Sequence, residues 1–247
     1  GVPVDHSVRT PAEVRRAAAQ DIRVILGLLD ARPIAGDIPL GERVASAILA
    51  DWRALARTRL DEVRSSVEAR RARQGDAAHL LEPNLKESYG GLRDAGILDA
   101  VAASWVTDVP REGLDEVRSS LLDVRDSLHD CALEEGRRPS DVLRTQDQED
   151  VARRLGLDGR DAMLRELGEA ARAVAYASDT MWHRISRLQR GRSDRGLRRR
   201  RRRPGPERVP LAEGVVVHDG EVALAADARP DRDPSLVLRF AAAAAQA

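Results

Sequence analysis

The sequence has few aromatic residues, one cysteine and one lysine, and each of these low counts makes some classes of protein or site less suitable. Aromatic residues make up 2% of the chain and disfavour an aromatic-rich β-sandwich, whereas the 42% of hydrophobic residues, chiefly Ala, Leu and Val, suits packed helices. A single cysteine, Cys131, excludes an internal disulfide and fits a reducing compartment. No apolar run approaches the roughly 20 residues of a membrane-spanning helix, and no signal-peptide pattern opens the chain, so we expect a cytoplasmic protein.

Lysine is the scarcest charged residue, because 41 residues are Lys or Arg and Lys86 is the one lysine among them. It lies in residues 79–94, HLLEPNLKESYGGLRD, which lead through Gly90, Gly91 and Arg93 into an apolar, helix-like segment. Lysine carries a compact charge, glycine lets a backbone approach a ligand closely, and a helix N-terminus offers unpaired N–H groups. The segment therefore suits an anion such as phosphate. A polar turn between two helices is the alternative interpretation.

The net charge of the chain is zero, but the charge is unevenly distributed. Residues 192–208 contain nine arginines against Asp194 and Glu207, so this stretch carries +7 and the remainder carries −7. Its six consecutive arginines at residues 198–203 have the charge to bind nucleic acid. Because no aromatic residues are interleaved with them, a solvated linker is the favoured interpretation.

The first forty residues combine a clear helix start with an ambiguous segment. Thr10, Pro11 and Glu13 match a capping box, which predicts a helix to about residue 20. A short strand is expected before it, over residues 2–8. Residues 22–34 include a run that is apolar on every face, so strand and helix both remain open there.

Helical periodicity dominates the middle of the chain and predicts a helical bundle. Ser140 or Asp141 is expected to cap a short helix that carries Val142 and ends at Gly156. The longer helices are predicted over residues 39–73, along an apolar stripe at Ile97, Leu98, Val101 and Trp105, over residues 114–128, and over residues 159–189.

Near the C-terminus the spacing of apolar residues changes from a helical to a strand-like pattern. Residues 215–218 and 221–224 flank Asp219-Gly220, and this dipeptide suits the type I′ turn of a β-hairpin. A further helix is expected to start at Asp233-Pro234.

The five histidines, one cysteine and scattered acids show neither zinc spacing nor a Ser/His/Asp set, so the His-Asp dipeptides at residues 129–130 and 218–219 are interpreted as coincidental.

Several motifs resemble the bifunctional uridylyltransferase/uridylyl-removing enzymes of bacterial nitrogen control, which modify the PII signal protein. The most specific is LEPNLKE at residues 81–87 followed by GGLRD at residues 90–94. Use of arginine in place of lysine suggests a high-GC bacterium. The similarity covers most of residues 1–188, with weaker matches at residues 6–10, 28–32, 36–37, 128–129, 141–152 and 175–179.

The resemblance implies a mainly α fold, in which a helical bundle follows the tail of an α/β nucleotidyltransferase domain and a short β-hairpin follows the bundle. The chain would be an internal fragment, inactive alone, because the paired aspartates that hold Mg²⁺ and UTP would precede it and the hydrolase and glutamine-sensing domains would follow. The implied divisions are the end of the nucleotidyltransferase domain at residues 1–37, the bundle at 38–189, an Arg-rich linker at 190–210, and the hairpin with a truncated helix at 211–247.

In such an enzyme a PII tyrosine attacks the α-phosphorus of UTP, and we expect Lys86, Gly90, Gly91 and Arg93 to hold the triphosphate. Asp5 is a candidate metal ligand by similarity to the glutamine synthetase adenylyltransferases. The expected partner is PII, with glutamine as effector through further domains, and neither membrane nor nucleic acid is expected. The alternatives are adenylyl transfer to PII or to glutamine synthetase, and a non-enzymatic helical interaction module with a basic linker.

Overall fold

The computed structural model describes residues 6–110, 113–198, 209–218, 221–226 and 228–246, and it confirms a mainly α fold with a C-terminal β-hairpin. The chain divides into two compact units at Gln189 and Arg190. No helix within the described ranges is long and apolar enough to cross a membrane. The described α-helices are α1 (Pro11–Gln20), α2 (Ile22–Leu29), α3 (Ile38–Gln74), α4 (Leu92–Ser104), α5 (Leu114–Glu134), α6 (Gln148–Arg154), α7 (Gly159–Arg198) and α8 (Leu236–Gln246).

Local capping signals set the first two helices. The Glu13 carboxylate accepts the Thr10 N–H at 2.8 Å and the Thr10 hydroxyl accepts the Glu13 N–H at 3.3 Å, which confirms the capping box. The Asp21 carboxylate then accepts the N–H of Arg23 at the start of α2. Residues 22–34 could have been a strand or a helix from the sequence, and the first eight of them are helical. The apolar face of α2 is buried because Ile25 packs into the main core.

Helix α3 is the longest element confined to the first unit and organises its core. The Asp37 carboxylate accepts the Leu40 N–H at 2.9 Å at its start, and Gly75, with φ +67°, follows its last residue. The indole N–H of Trp52, which is fully buried, donates to the Ala100 carbonyl at 2.7 Å and joins α3 to α4. The other buried apolar residues of α3 are Ile48, Ala56, Leu60, Val63 and Val67.

Trp105 does not belong to the buried stripe of α4, contrary to expectation. It follows the last residue of the helix in a left-handed conformation, with φ +59°, and is 74% exposed. The Ser104 hydroxyl accepts the Val106 N–H at 3.2 Å, and this bond accompanies the exit of the chain from the helix. The guanidinium of Arg53 lies 3.5 Å from the centre of the Trp105 ring and covers one of its faces.

The helix expected to start at Ser140 or Asp141 begins instead at residue 148, so that prediction was wrong. Val142 forms an antiparallel bridge with Asn84, which holds residues 141–143 extended against the loop that precedes α4. The tertiary pairing therefore outweighs the local capping preference of Ser140 and Asp141.

The predictions near the two ends of the chain had mixed outcomes. Residues 1–5 lie outside the described ranges, and residues 6–8 of the expected strand are not in a strand. Helix α7 continues nine residues past the predicted end at residue 189. Helix α8 begins at Leu236, three residues after Asp233, because residues 230–232 and 234–235 adopt turns first.

The C-terminal unit contains a three-stranded antiparallel sheet with the order β1-β2-β3. Its strands are β1 (Val209–Ala212), β2 (Val215–His218) and β3 (Glu221–Leu224). The pairing of His218 with Glu221 confirms the hairpin and its two-residue connection, although the Asp219-Gly220 turn itself lies outside the described residues. Strand β1 was not predicted.

Thr10→Ala is expected to lower the free energy of unfolding by about 1 kcal/mol, because it removes one half of the capping box. Thr58→Ala is the matched control, since Thr58 is an exposed residue inside α3. Alanine has the higher helix propensity there, so no loss of stability is expected. Urea denaturation followed by circular dichroism measures both variants, and equal losses would contradict the capping role.

Candidate functional site

A cavity of about 320 Å³, here called the basic cavity, lies among α2, α3, α4, α5 and the loop that contains Lys86. Six of its lining side chains are cationic and one, Asp30, is a carboxylate. Aliphatic side chains, Ser66 and two glycines form the rest of its wall. The cations are Arg23, Arg70, Lys86, Arg93, Arg118 and Arg125, and the aliphatic residues are Leu26, Val63, Leu92, Ile97 and Leu122.

Carboxylates pair with every arginine of the basic cavity. Among the residues that the structure describes, Lys86 is the one cation of the six without a side-chain hydrogen bond or ion pair, so its charge is the least neutralised. The arginine pairs are Arg23–Asp21 at 2.9 Å, Arg93–Glu87 at 2.6 Å, Arg125–Asp141 at 2.7 Å, Arg118 with Asp99 and with Asp30 at 3.8 Å, and Arg70–Asp94.

The loop that carries Lys86 is held by its own polar side chains. The Asn84 side-chain oxygen accepts the N–H groups of Lys86 at 3.0 Å and of Glu87 at 2.8 Å, a local turn that asparagine favours. The Ser88 hydroxyl donates to the Gln74 carbonyl at the end of α3 and accepts the Asn84 N–H, both at 3.1 Å. These bonds fix the backbone from which the Lys86 side chain projects.

A buried ion pair joins α3 to the first turn of α4. The side chains of Arg70 and Asp94 are 6% and 2% exposed, and they hydrogen-bond to each other. Arg70 also donates to the Glu87 carbonyl at 2.8 Å, and Asp94 accepts the Gly90 N–H at 2.9 Å. Burial raises the pKa of Asp94, whereas the hydrogen bond and charge of Arg70 act in the opposite direction. The pair thus clamps the Lys86 loop between two helices.

The glycine pair of the motif serves the packing of the chain itself. A Cβ at Gly90, whose φ is +86°, would lie 2.4 Å from the Ala171 carbonyl oxygen, and one at Gly91 would lie 2.7 Å from that of Leu85. The Gly91 N–H donates to the Ser88 carbonyl, while that of Gly90 donates to Asp94. Neither glycine lines the basic cavity. Of the four residues expected to hold phosphate, the structure therefore places Lys86 and Arg93 on the cavity and the glycines elsewhere.

Sequence reasoning missed four arginines that line the basic cavity. They come from three helices that are far apart in the chain, and arginine is so frequent in this sequence that no single one stands out. Only the packing of the helices brings them to one cavity. The missed residues are Arg23 in α2, Arg70 in α3, and Arg118 and Arg125 in α5.

Among the described residues, the other candidate side chains form no metal site. Asp5 lies outside the described residues. His129 lies 3.0 Å from the Asp141 carboxylate, which also pairs with Arg125, so it supports the wall of the cavity. Within the described ranges, no group of three or more His, Cys, Asp and Glu residues could hold a metal ion.

Comparison with known proteins identifies related sequences. The sequence profile of the GlnD PII-uridylyltransferase family matches residues 57–98, which include Lys86 and Arg93. No solved structure matches the chain significantly. Three similar proteins are each named bifunctional uridylyltransferase/uridylyl-removing enzyme: one from Streptomyces coelicolor is 54% identical over 100% of this chain, one from Mycobacterium tuberculosis 38% over 99%, and one from Corynebacterium glutamicum 35% over 98%. The chain spans 30%, 30% and 33% of their respective lengths.

Gly90→Ala is expected to destabilise the protein by about 3 kcal/mol, because the methyl group meets the Ala171 carbonyl and the backbone has a positive φ. Gly136→Ala is the control, since Gly136 also has a positive φ, +69°, but its Cβ would meet nothing within 4 Å. It should lose only about 1 kcal/mol. Thermal and urea denaturation measure the difference, and equal losses would exclude a role for the Ala171 contact.

Arg70→Met is expected to lower the free energy of unfolding by about 3–5 kcal/mol at neutral pH, because Asp94 is left buried without its countercharge. The pKa of Asp94 then rises further, because the charge of Arg70 no longer opposes the effect of burial. The folded state therefore holds the Asp94 proton more tightly than the unfolded chain does. The deficit relative to the unsubstituted protein should therefore shrink as the pH falls below the raised pKa. Urea denaturation at pH 5 and pH 7.5 tests this, and a deficit independent of pH would contradict it.

Proposed function

We propose, from the homology of the full chain to the bifunctional uridylyltransferase/uridylyl-removing enzymes, that it acts within an enzyme that uridylylates and de-uridylylates PII, and that its basic cavity binds the phosphates of UTP. In the transfer reaction the tyrosine hydroxyl oxygen of PII bonds to the α-phosphorus of UTP. The bond from that phosphorus to the bridging oxygen breaks, the hydroxyl proton is lost, and pyrophosphate leaves. The part assigned to this chain is to bind the nucleotide.

One observation carries the proposal: Lys86 lies on the cavity and contacts no carboxylate of the described residues, while carboxylates pair with the five arginines around it. A polyphosphate gains most from a cation that is not already neutralised. Arginines that are paired can still donate their remaining N–H groups, so Arg93 and Arg125 supply directional contacts. This arrangement supports an anion-binding role for Lys86 and Arg93.

Mg²⁺ accompanies UTP in nucleotidyl transfer, and no group of three or more His, Cys, Asp and Glu residues in the described ranges could hold it. The isolated chain is expected to bind UTP without transferring its uridylyl group. PII as the acceptor and glutamine as an effector belong to the proposal for the longer enzyme.

Lys86→Ala is expected to weaken UTP binding to the 247-residue chain by about 10- to 100-fold, because a charge-assisted contact to phosphate is lost. Titration calorimetry measures this, with Lys86→Arg expected to retain part of the affinity. Arg153→Ala is the matched control, since Arg153 is an exposed arginine of α6 that pairs with Asp150 and does not line the cavity.

The binding experiment has two outcomes that count against the proposal. Unchanged UTP affinity in Lys86→Ala, or no binding of UTP by the unsubstituted chain, would reject the basic cavity as the phosphate site. Tighter binding of ATP than of UTP would favour the alternative, adenylyl transfer.

A further inference from the structure

Two glycines that line the basic cavity lie inside helices: Gly27 in α2 and Gly96 in α4. Neither has a positive φ. A Cβ at Gly27 would meet no atom within 4 Å, and one at Gly96 would meet only the Asp30 carboxylate, at the ordinary contact distance of 3.9 Å. Helix packing therefore does not require glycine at either position.

Glycine is unfavourable inside a helix relative to alanine, because it loses more backbone freedom on folding. At Gly90 and Gly91 the packing of the chain explains this residue, since a Cβ would collide with carbonyl oxygens there. No contact with the described residues gives a similar reason at Gly27 and Gly96. What these two residues provide is open space along one wall of the cavity.

The chemistry of that wall indicates what could occupy the space. The aliphatic side chains of Leu26, Leu92 and Ile97 line the cavity between its cations. A bare phosphate gains nothing from aliphatic surface, whereas a flat, largely uncharged ring system that covers such a wall removes it from water. A ligand that suits the whole cavity therefore combines an anionic end with a flat, uncharged body, as a nucleotide does.

We propose that Gly27 and Gly96 are specificity-determining residues, which leave room for the nucleoside part of a nucleoside triphosphate whose phosphates meet Lys86. The identity of the ligand rests on the proposed function, but the assignment of the two glycines rests on the open space at their Cβ positions. Side chains at these positions would occupy the space without disturbing the helices.

The test compares UTP with inorganic triphosphate by calorimetry on the 247-residue chain. The unsubstituted chain should bind UTP more tightly than triphosphate. Gly27→Ala and Gly96→Ala should each weaken UTP by roughly 10-fold, because a methyl group intrudes on the nucleoside, and leave triphosphate unchanged. Each should also raise Tm by roughly 2 °C, since alanine favours the helix. Gly168→Ala, in α7 and away from the cavity, is the control and should not change UTP affinity.

Several results would overturn the inference. One is an unchanged UTP affinity in both variants, and another is an equal loss of affinity for UTP and for triphosphate. A third is an unsubstituted chain that binds the two ligands with equal affinity. A lower Tm in both variants would show that packing needs the glycines. These failures differ from failure of the proposed function, which is instead marked by unchanged UTP affinity in Lys86→Ala.

Discussion

The buried ion pair between Arg70 and Asp94 is the interaction on which the candidate site depends. Removing two charges from water costs several kcal/mol per ion, and the pair is tolerated because each member has further hydrogen-bond partners. Those partners are the Glu87 carbonyl and the Gly90 N–H, one on each side of the turn after Lys86. The same bonds that satisfy the buried charges therefore determine where the loop lies between α3 and α4.

Arginine and lysine have different roles in the basic cavity because their charged groups differ in shape. A planar guanidinium can bind a carboxylate with one edge and still present N–H donors elsewhere, so an arginine such as Arg93, which pairs with Glu87, can line a cavity and be neutralised at once. Lys86 has a compact charge and, in the described part of the chain, no such partner. Paired arginines thus line much of the cavity, and Lys86 is the lining cation that no carboxylate of the described residues contacts.

Glycine has two distinct roles around the basic cavity. Gly90 and Gly91 allow the loop to approach Ala171 and Leu85 more closely than any Cβ permits. A Cβ at Gly27 would meet no atom within 4 Å, and one at Gly96 would meet only the Asp30 carboxylate at 3.9 Å, so packing requires glycine at neither position. The two pairs cannot be told apart in the sequence, where a conspicuous double glycine draws attention and isolated helical glycines do not.

Interactions between residues close together in the sequence were sufficient to predict much of the secondary structure. The capping box at Thr10, the apolar stripe of α3 and the alternation around the hairpin turn all act over a few residues, and the sequence predicted them correctly. The sequence also singled out Lys86 and Arg93, through the rarity of lysine and a specific motif. Interactions between distant segments decided the rest. Residues 141–143 are extended because they pair with the loop around Asn84, and the arginines of α2, α3 and α5 form one cavity only because packing brings those helices together.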